Sequence, residues 1–365
     1  MKALIAAYAR SPQHFARKGA LASVRPDDLA ATVVRGLLDR HKIDPATLED
    51  LILGVAYPEA AQGNNLARIV GLLAGLPQEV GGVTVNRFCG SSMQAIHMAA
   101  ANLESGIGEA YLCVGVESMT MVPQGGFNFS PNPQLPEAYV TMGQTAENVA
   151  ERYAISRHDQ EEFALRSHQK AAAAHLSDEL IAIGEVTSDG CIRPGTSLEA
   201  LAKLAPAFRP DGVVTAGTSS PLTDGASAVL VTTPAYAARH GLTPLARITT
   251  FATSGVDPAY MGMGPVPATR KALQRAGLTV KDLDLIELNE AFASQALACQ
   301  RELGLNLEHI NLDGGGLALG HPLGATGARI TGKAAQLLHR HQGRYALATQ
   351  CIGGGQGIAT ILEAI

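Results

Sequence analysis

The pattern of apolar and polar residues predicts an α/β fold with a largely parallel sheet, built as two copies of one unit. Three observations carry this. Strand-like apolar runs alternate with helical periodicity along most of the 365 residues, which is the signature of βαβ units. The second half repeats the order of the first. PVPATRKALQRAGLTVKDLDLIELNEAFA follows the same helix, turn and strand sequence as DDLAATVVRGLLDRHKIDPATLEDLILGVA, and INLDGGGLALGHPLGATGARITGKAAQLL parallels GVTVNRFCGSSMQAIHMAAANL, each passing from a strand through a small-residue turn into a helix. Between the copies, roughly from Met119 to Ala207, the pattern is different and marks an insertion.

Taken in order, MKALIAAYA is a first buried strand, Leu29 to Leu38 a helix, and LEDLILGVA a strand after the turn at Asp44-Pro45. A helix around Ala67 to Ala74, the strand GGVTVN, a helix opening just after Cys89 and the strand AYLCVGVES complete the first copy. PQGGFNFSPNPQLPEAY is a loop, and TAENVAERYAISRHDQEEFALRSHQKAAAAH is helical; together they cover a site on the first half. PAYAARHGLTP joins the halves, and the second copy ends in the strand YALATQCIG. The boundaries are residues 1–118 and 208–234 for the N-terminal half, 119–207 for the inserted loop domain and 235–365 for the C-terminal half. A chain of this length exceeds one ordinary core and suits two similar-sized domains.

The formal charge of -5 with scattered Lys and Arg provides no basic stripe, which disfavours nucleic acid as a partner. Apolar residues make up 46% but aromatics only 4%, with no Trp, so the interior is Ala, Leu, Val and Gly in closely packed elements. The five cysteines, Cys89, Cys113, Cys191, Cys299 and Cys351, are odd in number and form no CxxC pair, so neither a disulfide framework nor a metal site is indicated. A reducing compartment, the cytoplasm, follows. The N-terminal apolar run is too short for a membrane span.

Four segments carry chemistry. Cys89 in VNRFCGSSMQA lies between a strand and a helix, where the helix N-terminus lowers a thiol pKa and backbone N–H groups supply oxyanion donors. A lone cysteine at a strand end is more often inert core; the Gly90-Ser91-Ser92 turn, and His321 and Cys351 in equivalent turns, tip the reading toward chemistry. His321, between Gly320 and Pro322, suits acceptance of the Cys89 proton or donation to an oxyanion. Cys351 precedes Gly353-Gly354-Gly355, whose N–H groups form a second anion nest. In ELNEAFA, Asn289 is a neutral donor suited to a water or a carbonyl, and Glu290 is a structural acid. Two thiols, an imidazole and an amide on Gly-rich turns point to thiol-based acyl transfer. Among the other ten histidines, only His97 is read as filling a gap beside its helix; the rest are read as solvated.

These segments, with TAGTSSPLTDGASAVL and MGMGPVPA, resemble the signatures of the thiolases in the same order over nearly the whole chain. The resemblance implies two βαβαβ-type halves stacked as five α/β layers, an inserted loop domain, and a coenzyme A thioester as substrate. PEAAQGNNLARIVGLLAGLP and NRFCGSSMQ are most similar to the degradative 3-ketoacyl-CoA thiolases of fatty-acid β-oxidation, which cleave 3-ketoacyl-CoA with CoA to acetyl-CoA and a shortened acyl-CoA. Thr141 stands where acetoacetyl-CoA thiolases often carry His.

By that resemblance Cys89 is the acylated nucleophile, His321 its base, and Cys351 the acid and base for the leaving and incoming groups. His321 and a water on Asn289 would hold the thioester oxygen, and the N–H groups of Cys89 and Gly353 the acyl oxygen. Ser220, Phe208 and Arg193 would contact CoA, with Met142, Met261 and Phe292 near the acyl chain. No metal or redox cofactor is implied. The span from Glu117 to Thr141 is shorter than in tetrameric members, so a homodimer is expected, with a hydratase/dehydrogenase as a further candidate partner. Asp313 stands where the family usually has Asn, and the sequence offers no chemical reason for it. Three rivals stay open: an acetoacetyl-CoA thiolase condensing two acetyl-CoA, a decarboxylating ketosynthase, which ELNEAFA argues against, and a non-catalytic lipid carrier, which would be expected to lose His321 or Cys351.

Overall fold

The computed structural model describes residues 2–365. Its strands are β1 (Leu4–Arg10), β2 (His14–Phe15), β3 (Asp50–Gly54), β4 (Gly81–Val85), β5 (Ala110–Ser118), β6 (Thr223–Thr232), β7 (Ala246–Gly255), β8 (Leu285–Leu288), β9 (Tyr345–Ile352) and β10 (Gln356–Glu363). The helices are α1 (Pro26–His41), α2 (Leu66–Leu73), α3 (Ser91–Glu104), α4 (Met142–Arg152), α5 (Arg157–Ala173), α6 (Leu198–Ala202), α7 (Pro234–Arg239), α8 (Pro265–Ala276), α9 (Ala293–Leu303), α10 (Gly316–Leu319) and α11 (Leu323–His341). No helix among the described residues is long and apolar enough to cross a membrane.

The duplication is visible in the strand order. The first half runs β4-β3-β5-β6-β1 and the second β8-β9-β10-β7, and the two join edge to edge where Leu4 and Ile5 meet Arg247 and Ala246. The sheets are mixed, which corrects the largely parallel sheet predicted from sequence. β3 pairs in parallel with β4 and β5, and β8 with β9, whereas β6 and β10 run antiparallel to both neighbours. The cause is plain in the second half: three glycines connect β9 to β10, and so short a link permits only an antiparallel pair. Gly354 and Gly355 turn it with φ of +75° and +79°, conformations that side chains resist.

The expected strand at INL is a second departure. Ile310 makes only an isolated bridge to Ile286. Asn311, left-handed at φ +48°, donates its backbone N–H to the Ile286 carbonyl at 2.8 Å, and beyond that its side chain takes over the pairing, accepting from the Leu288 N–H at 2.9 Å and donating to the Leu288 carbonyl at 2.8 Å. The single helical run expected in the insertion also breaks in two. Ala154 is left-handed at φ +50°, and Ser156 opens α5 by accepting the Asp159 N–H at 3.1 Å.

Helices lie on both sides of each sheet and give three cores, one per helical layer. α1 and α2 cover the outer face of the first sheet with Leu29, Val33, Leu37 and Val70. α8 and α9, with α4 and α5 from the insertion, cover the outer face of the second with Ala272, Leu297, Val149 and Phe163. Between the sheets, α3 and α11 pack together through Met93, Ile96, Ala99, Ala328 and Ile330. They approach closely because α11 is lined with small residues; a Cβ at Gly327 would fall 2.3 Å from the Met93 nitrogen.

Buried charges tie the insertion to both halves. Arg10, at the end of β1, bonds Glu179 at 2.7 Å and Asp189 at 2.7 and 2.8 Å. Lys333 of α11 reaches Glu179 at 2.6 Å and Asp313 at 2.8 Å, and Arg340 also contacts Asp313 at 2.6 Å. This supplies the reason for Asp313 that sequence did not. Burial works against its charge, yet Lys333 and Arg340 outweigh it and hold the carboxyl below its usual range. Removing one member of such a buried pair typically costs about 3–5 kcal/mol, because the other is left unpaired.

Candidate active site

Cys89 sits in a short turn, Phe88–Gly90, directly before α3. Phe88 takes a left-handed φ of +44°, an uncommon conformation for an aromatic residue, and this aims the turn back onto the second half. There the Cys89 carbonyl accepts a hydrogen bond from the Gln350 amide, and Gly90 fits against Ile352, where a Cβ would fall 2.6 Å from the Ile352 side chain. Cys89, together with Tyr57, packs against a small apolar cluster of Ala16, Ala56, Met119 and Leu323. Burial pushes it up to about 12, a correction to the lowered value expected from the helix N-terminus. The N–H groups of Gly353 and of Cys89 itself lie against the sulfur and pull the other way without prevailing.

Cys351 is the penultimate residue of β9, two residues before Gly353, and is buried. Its thiol is raised well above the ordinary value by burial and then by the neighbouring Cys89 and Cys299. His321 enters from the turn between α10 and α11, and Leu323, which opens α11, belongs to the apolar cluster that Cys89 packs against. Its backbone N–H donates to Thr223 Oγ1 at 3.1 Å, its Nδ1 lies 2.6 Å from Thr326 Oγ1, and its Nε2 lies 3.3 Å from Asn289 Nδ2. The Thr326 hydroxyl donates to the Pro322 carbonyl at 2.9 Å, so it accepts from Nδ1–H. That network assigns the proton to Nδ1 and leaves the Nε2 lone pair free of a proton. Burial, reinforced by Arg329, lowers the imidazole to about 3, so it is neutral.

Asn289 follows β8 and is fixed by its N–H to the Thr349 carbonyl at 3.0 Å. Its buried Oδ1 has no protein partner. Glu290 next to it is spent on structure, accepting from Ser167 at 2.6 Å, Asn311 at 2.7 Å and the Leu317 N–H at 3.1 Å. Cys89, Cys351, Gly353, His321 and Asn289 thus converge from both halves. Beside them Gly353 faces Met142, whose sulfur would lie 3.6 Å from a Cβ there. Met142 opens α4, and Gly143 after it abuts the Phe208 ring, which meets Phe292 edge-on at 5.9 Å. Ser219 bridges to Phe292 and the Ser220 N–H donates to the Ala291 carbonyl at 3.0 Å. Met261 and Phe292 are buried in the same core, whereas Phe208 is exposed. Arg193 does not share these contacts; its guanidinium lies 5.0 Å over the Phe15 ring, and its N–H meets His168 Nδ1 at 3.2 Å.

Sequence reasoning missed several residues here. Thr326 orients His321, and its only signal is a hydroxyl one helical turn beyond the histidine. Glu117 was more legible, being a lone acid in an apolar strand. Its buried carboxylate accepts from the N–H groups of Ala56 at 2.8 Å and Gly324 at 2.9 Å and from the Gln62 amide at 2.7 Å, fixing the Cys89 pocket to the start of α11. His168, expected to be solvated, is buried; His97 is buried and stacks on Phe251 at 4.2 Å, as expected of a gap-filler.

The sequence matches two family models, one described as the thiolase N-terminal domain over residues 3–235 and one as the thiolase C-terminal domain over residues 242–364. It is 48% identical to the 3-ketoacyl-CoA thiolase of Shewanella loihica over 383 residues, covering 99% of each chain. It is 47% identical to the 3-oxoadipyl-CoA/3-oxo-5,6-dehydrosuberyl-CoA thiolase of Escherichia coli over 383 residues, covering 95% of this chain and 96% of that one. Human mitochondrial 3-ketoacyl-CoA thiolase, solved in complex with CoA, superposes with a TM-score of 0.93 at 39% identity, covering 100% of this chain and 98% of that one.

Proposed function

The chain belongs to the thiolase family, and from that premise we propose that it cleaves 3-ketoacyl-CoA with CoA to acetyl-CoA and a shortened acyl-CoA through an acyl-Cys89 intermediate. The observation that carries the reading is the placement of a neutral His321 with an unprotonated Nε2 two residues before Leu323, which belongs to the small apolar cluster that Cys89 packs against. Nε2 takes the thiol proton as sulfur attacks the 3-keto carbon, so the two neutral groups never need to ionise beforehand. The alkoxide falls between the N–H groups of Cys89 and Gly353, and such donors are each worth about 10²–10³ in rate. Its collapse breaks the bond between the second and third carbons. The Cys351 thiol then protonates the departing acetyl-CoA enolate, whose thioester oxygen is held by His321 and by a water on Asn289.

In the second half-reaction the Cys351 thiolate takes the proton of the incoming CoA thiol. The CoA thiolate attacks the acyl-Cys89 thioester, the same two N–H groups hold the oxyanion, and Cys89 leaves to recover its proton from His321. Proton and electron counts close with no redox step, so CoA enters as substrate rather than cofactor. Phe208 and Ser220 suit the pantetheine arm, and Met142, Met261 and Phe292 the acyl chain. Arg193 is assigned to the nucleotide end of CoA.

Five free thiols suit a reducing compartment, and we place the reaction in the cytoplasm. The enzyme that supplies the 3-keto group, a hydratase/dehydrogenase, is the natural partner. Thiolysis of acetoacetyl-CoA and of 3-ketodecanoyl-CoA tests the reaction: CoA-dependent loss of both substrates is expected, with the longer one preferred. Cleavage of acetoacetyl-CoA alone would favour the acetoacetyl-CoA thiolase, and cleavage of neither would contradict thiolysis.

We also assign a two-fold homodimer. β4 ends its sheet with an unpaired edge, and Val83 on it and Leu72 and Leu73 nearby are exposed, while the segment from Glu117 to Thr141 is short. Light scattering should report two chain masses that do not fall on dilution through the micromolar range; a stable species of four chains would contradict the assignment.

A further inference from the structure

Two buried charges beside the candidate site lack a counter-ion among the described residues. Glu117, near the end of β5, accepts from the Ala56 and Gly324 N–H groups at 2.8 and 2.9 Å, the Tyr57 N–H at 3.3 Å and the Gln62 amide at 2.7 Å. Burial pushes the carboxyl up and these donors work against it. All four partners donate, so a proton on either oxygen would face an N–H, and the geometry calls for the ionised form. Ala56, and Leu323 next to Gly324, belong to the cluster that Cys89 packs against, which puts this negative charge behind the thiol.

Arg329 lies on α11 three residues after Thr326, on the helix face that orients His321. It is 1% exposed, and Nε, Nη1 and Nη2 all lack a hydrogen-bond partner. The carboxylates of this region are committed elsewhere. Glu179 holds Arg10 and Lys333, Asp313 holds Lys333 and Arg340, and Glu290 accepts from Ser167 and Asn311. Glu287 of β8 remains, but burial pushes it up to about 8, so at pH 7 it is neutral and does not cancel the guanidinium. Its Oε1 and the Tyr8 hydroxyl of β1 are likewise unpartnered. Burying an unpaired charge is costly, and here it is done twice beside one thiol and one imidazole.

We propose that Glu117 and Arg329 are positioning residues that keep Cys89 and His321 a neutral pair until substrate binds, which shields the thiol from other electrophiles. The inference rests on the proposed transfer of the Cys89 proton to His321. A negative charge behind the sulfur opposes the thiolate, and a positive charge beside the ring opposes the imidazolium, so the ion pair is disfavoured from both ends. The opposite polarity would activate the thiol at rest. With this one, the proton moves only as a bound carbonyl takes up charge between the N–H groups of Cys89 and Gly353.

Iodoacetamide labelling of the full-length enzyme without substrate, followed by digestion and mass spectrometry, reads the thiolate at each cysteine. In Arg329→Met the rate at Cys89 at pH 7 should rise about tenfold, the change that removing one like charge makes in the ion-pair population. The variant should fold, because exchanging a buried charge for an apolar side chain of similar size is often neutral or stabilising; Arg329→Gln serves in its place if it does not. Arg329→Lys keeps the charge and should label at the parent rate, whereas Glu117→Gln should label faster. An unchanged Cys89 rate in Arg329→Met would overturn the inference. So would an equal rise at Cys113, Cys191, Cys299 and Cys351, or in Arg329→Lys, which would assign Arg329 to packing. Labelling needs no substrate, so its failure in an enzyme that cleaves 3-ketoacyl-CoA sinks this inference alone. A parent enzyme that cleaves none sinks the reaction and the inference with it.

Discussion

Cys89→Ala should lose thiolysis almost completely, by about 10⁶-fold, comparable to removal of other covalent nucleophiles. The expectation follows from where the thiol stands. The N–H groups of Cys89 and Gly353 lie against this sulfur, so the oxyanion donors serve only a carbonyl attacked from it. His321 is likewise committed, because Thr326 fixes its Nδ1 and Leu323, two residues on, belongs to the cluster that Cys89 packs against. Without the thiol these groups have nothing to activate. Substrate binding should survive, since Phe208, Phe292 and Ser220 are untouched. A stopped-flow or steady-state assay that found more than a thousandth of the parent rate would move the nucleophile elsewhere.

Cys351→Ser should be slow rather than dead. Its proposed role is proton transfer, worth about 10²–10⁴-fold, and water can partly take such a role over. A serine hydroxyl is a poorer acid than the thiol, so protonation of the acetyl-CoA enolate becomes limiting while attack at the 3-keto carbon is left intact. The variant should therefore still acquire an acyl group on Cys89, over minutes rather than within one turnover. Equal and complete loss of acylation in Cys351→Ser and Cys89→Ala would contradict the division of labour between the two thiols.

The duplicated α/β halves were legible because each copy keeps its helix, turn and strand periodicities, and the five-layer stack followed from the family resemblance. Strand direction was less legible. β6 and β10 are apolar runs like any buried strand, and nothing in their composition records that they pair antiparallel to both neighbours. The INL segment read as a strand because its apolar content is right, but the backbone pairing stops at one bridge and the Asn311 side chain takes over beyond it.

Residues of the candidate site stood out where they interrupt Gly-rich turns, as Cys89, His321 and Cys351 do. Those defined by contacts across the fold did not. Thr326, Gln350 and Tyr57 are ordinary residues until the two halves are brought together, and Asp313 had no meaning before Lys333 and Arg340 were beside it. The thiol pKa was misjudged for a similar reason. A helix N-terminus is visible in sequence, whereas the burial of the thiol against the cluster of Ala16, Ala56, Met119 and Leu323 that overrides it is not.

The central claim is that the acyl group is carried on Cys89. The most direct measurement is mass spectrometry of the enzyme incubated with 3-ketodecanoyl-CoA and no free CoA, followed by digestion. The account predicts one added octanoyl group per chain, on the peptide containing Cys89, and its removal when CoA is supplied. An octanoyl group on the Cys351 peptide, or none on any cysteine while acetyl-CoA is released, would contradict it.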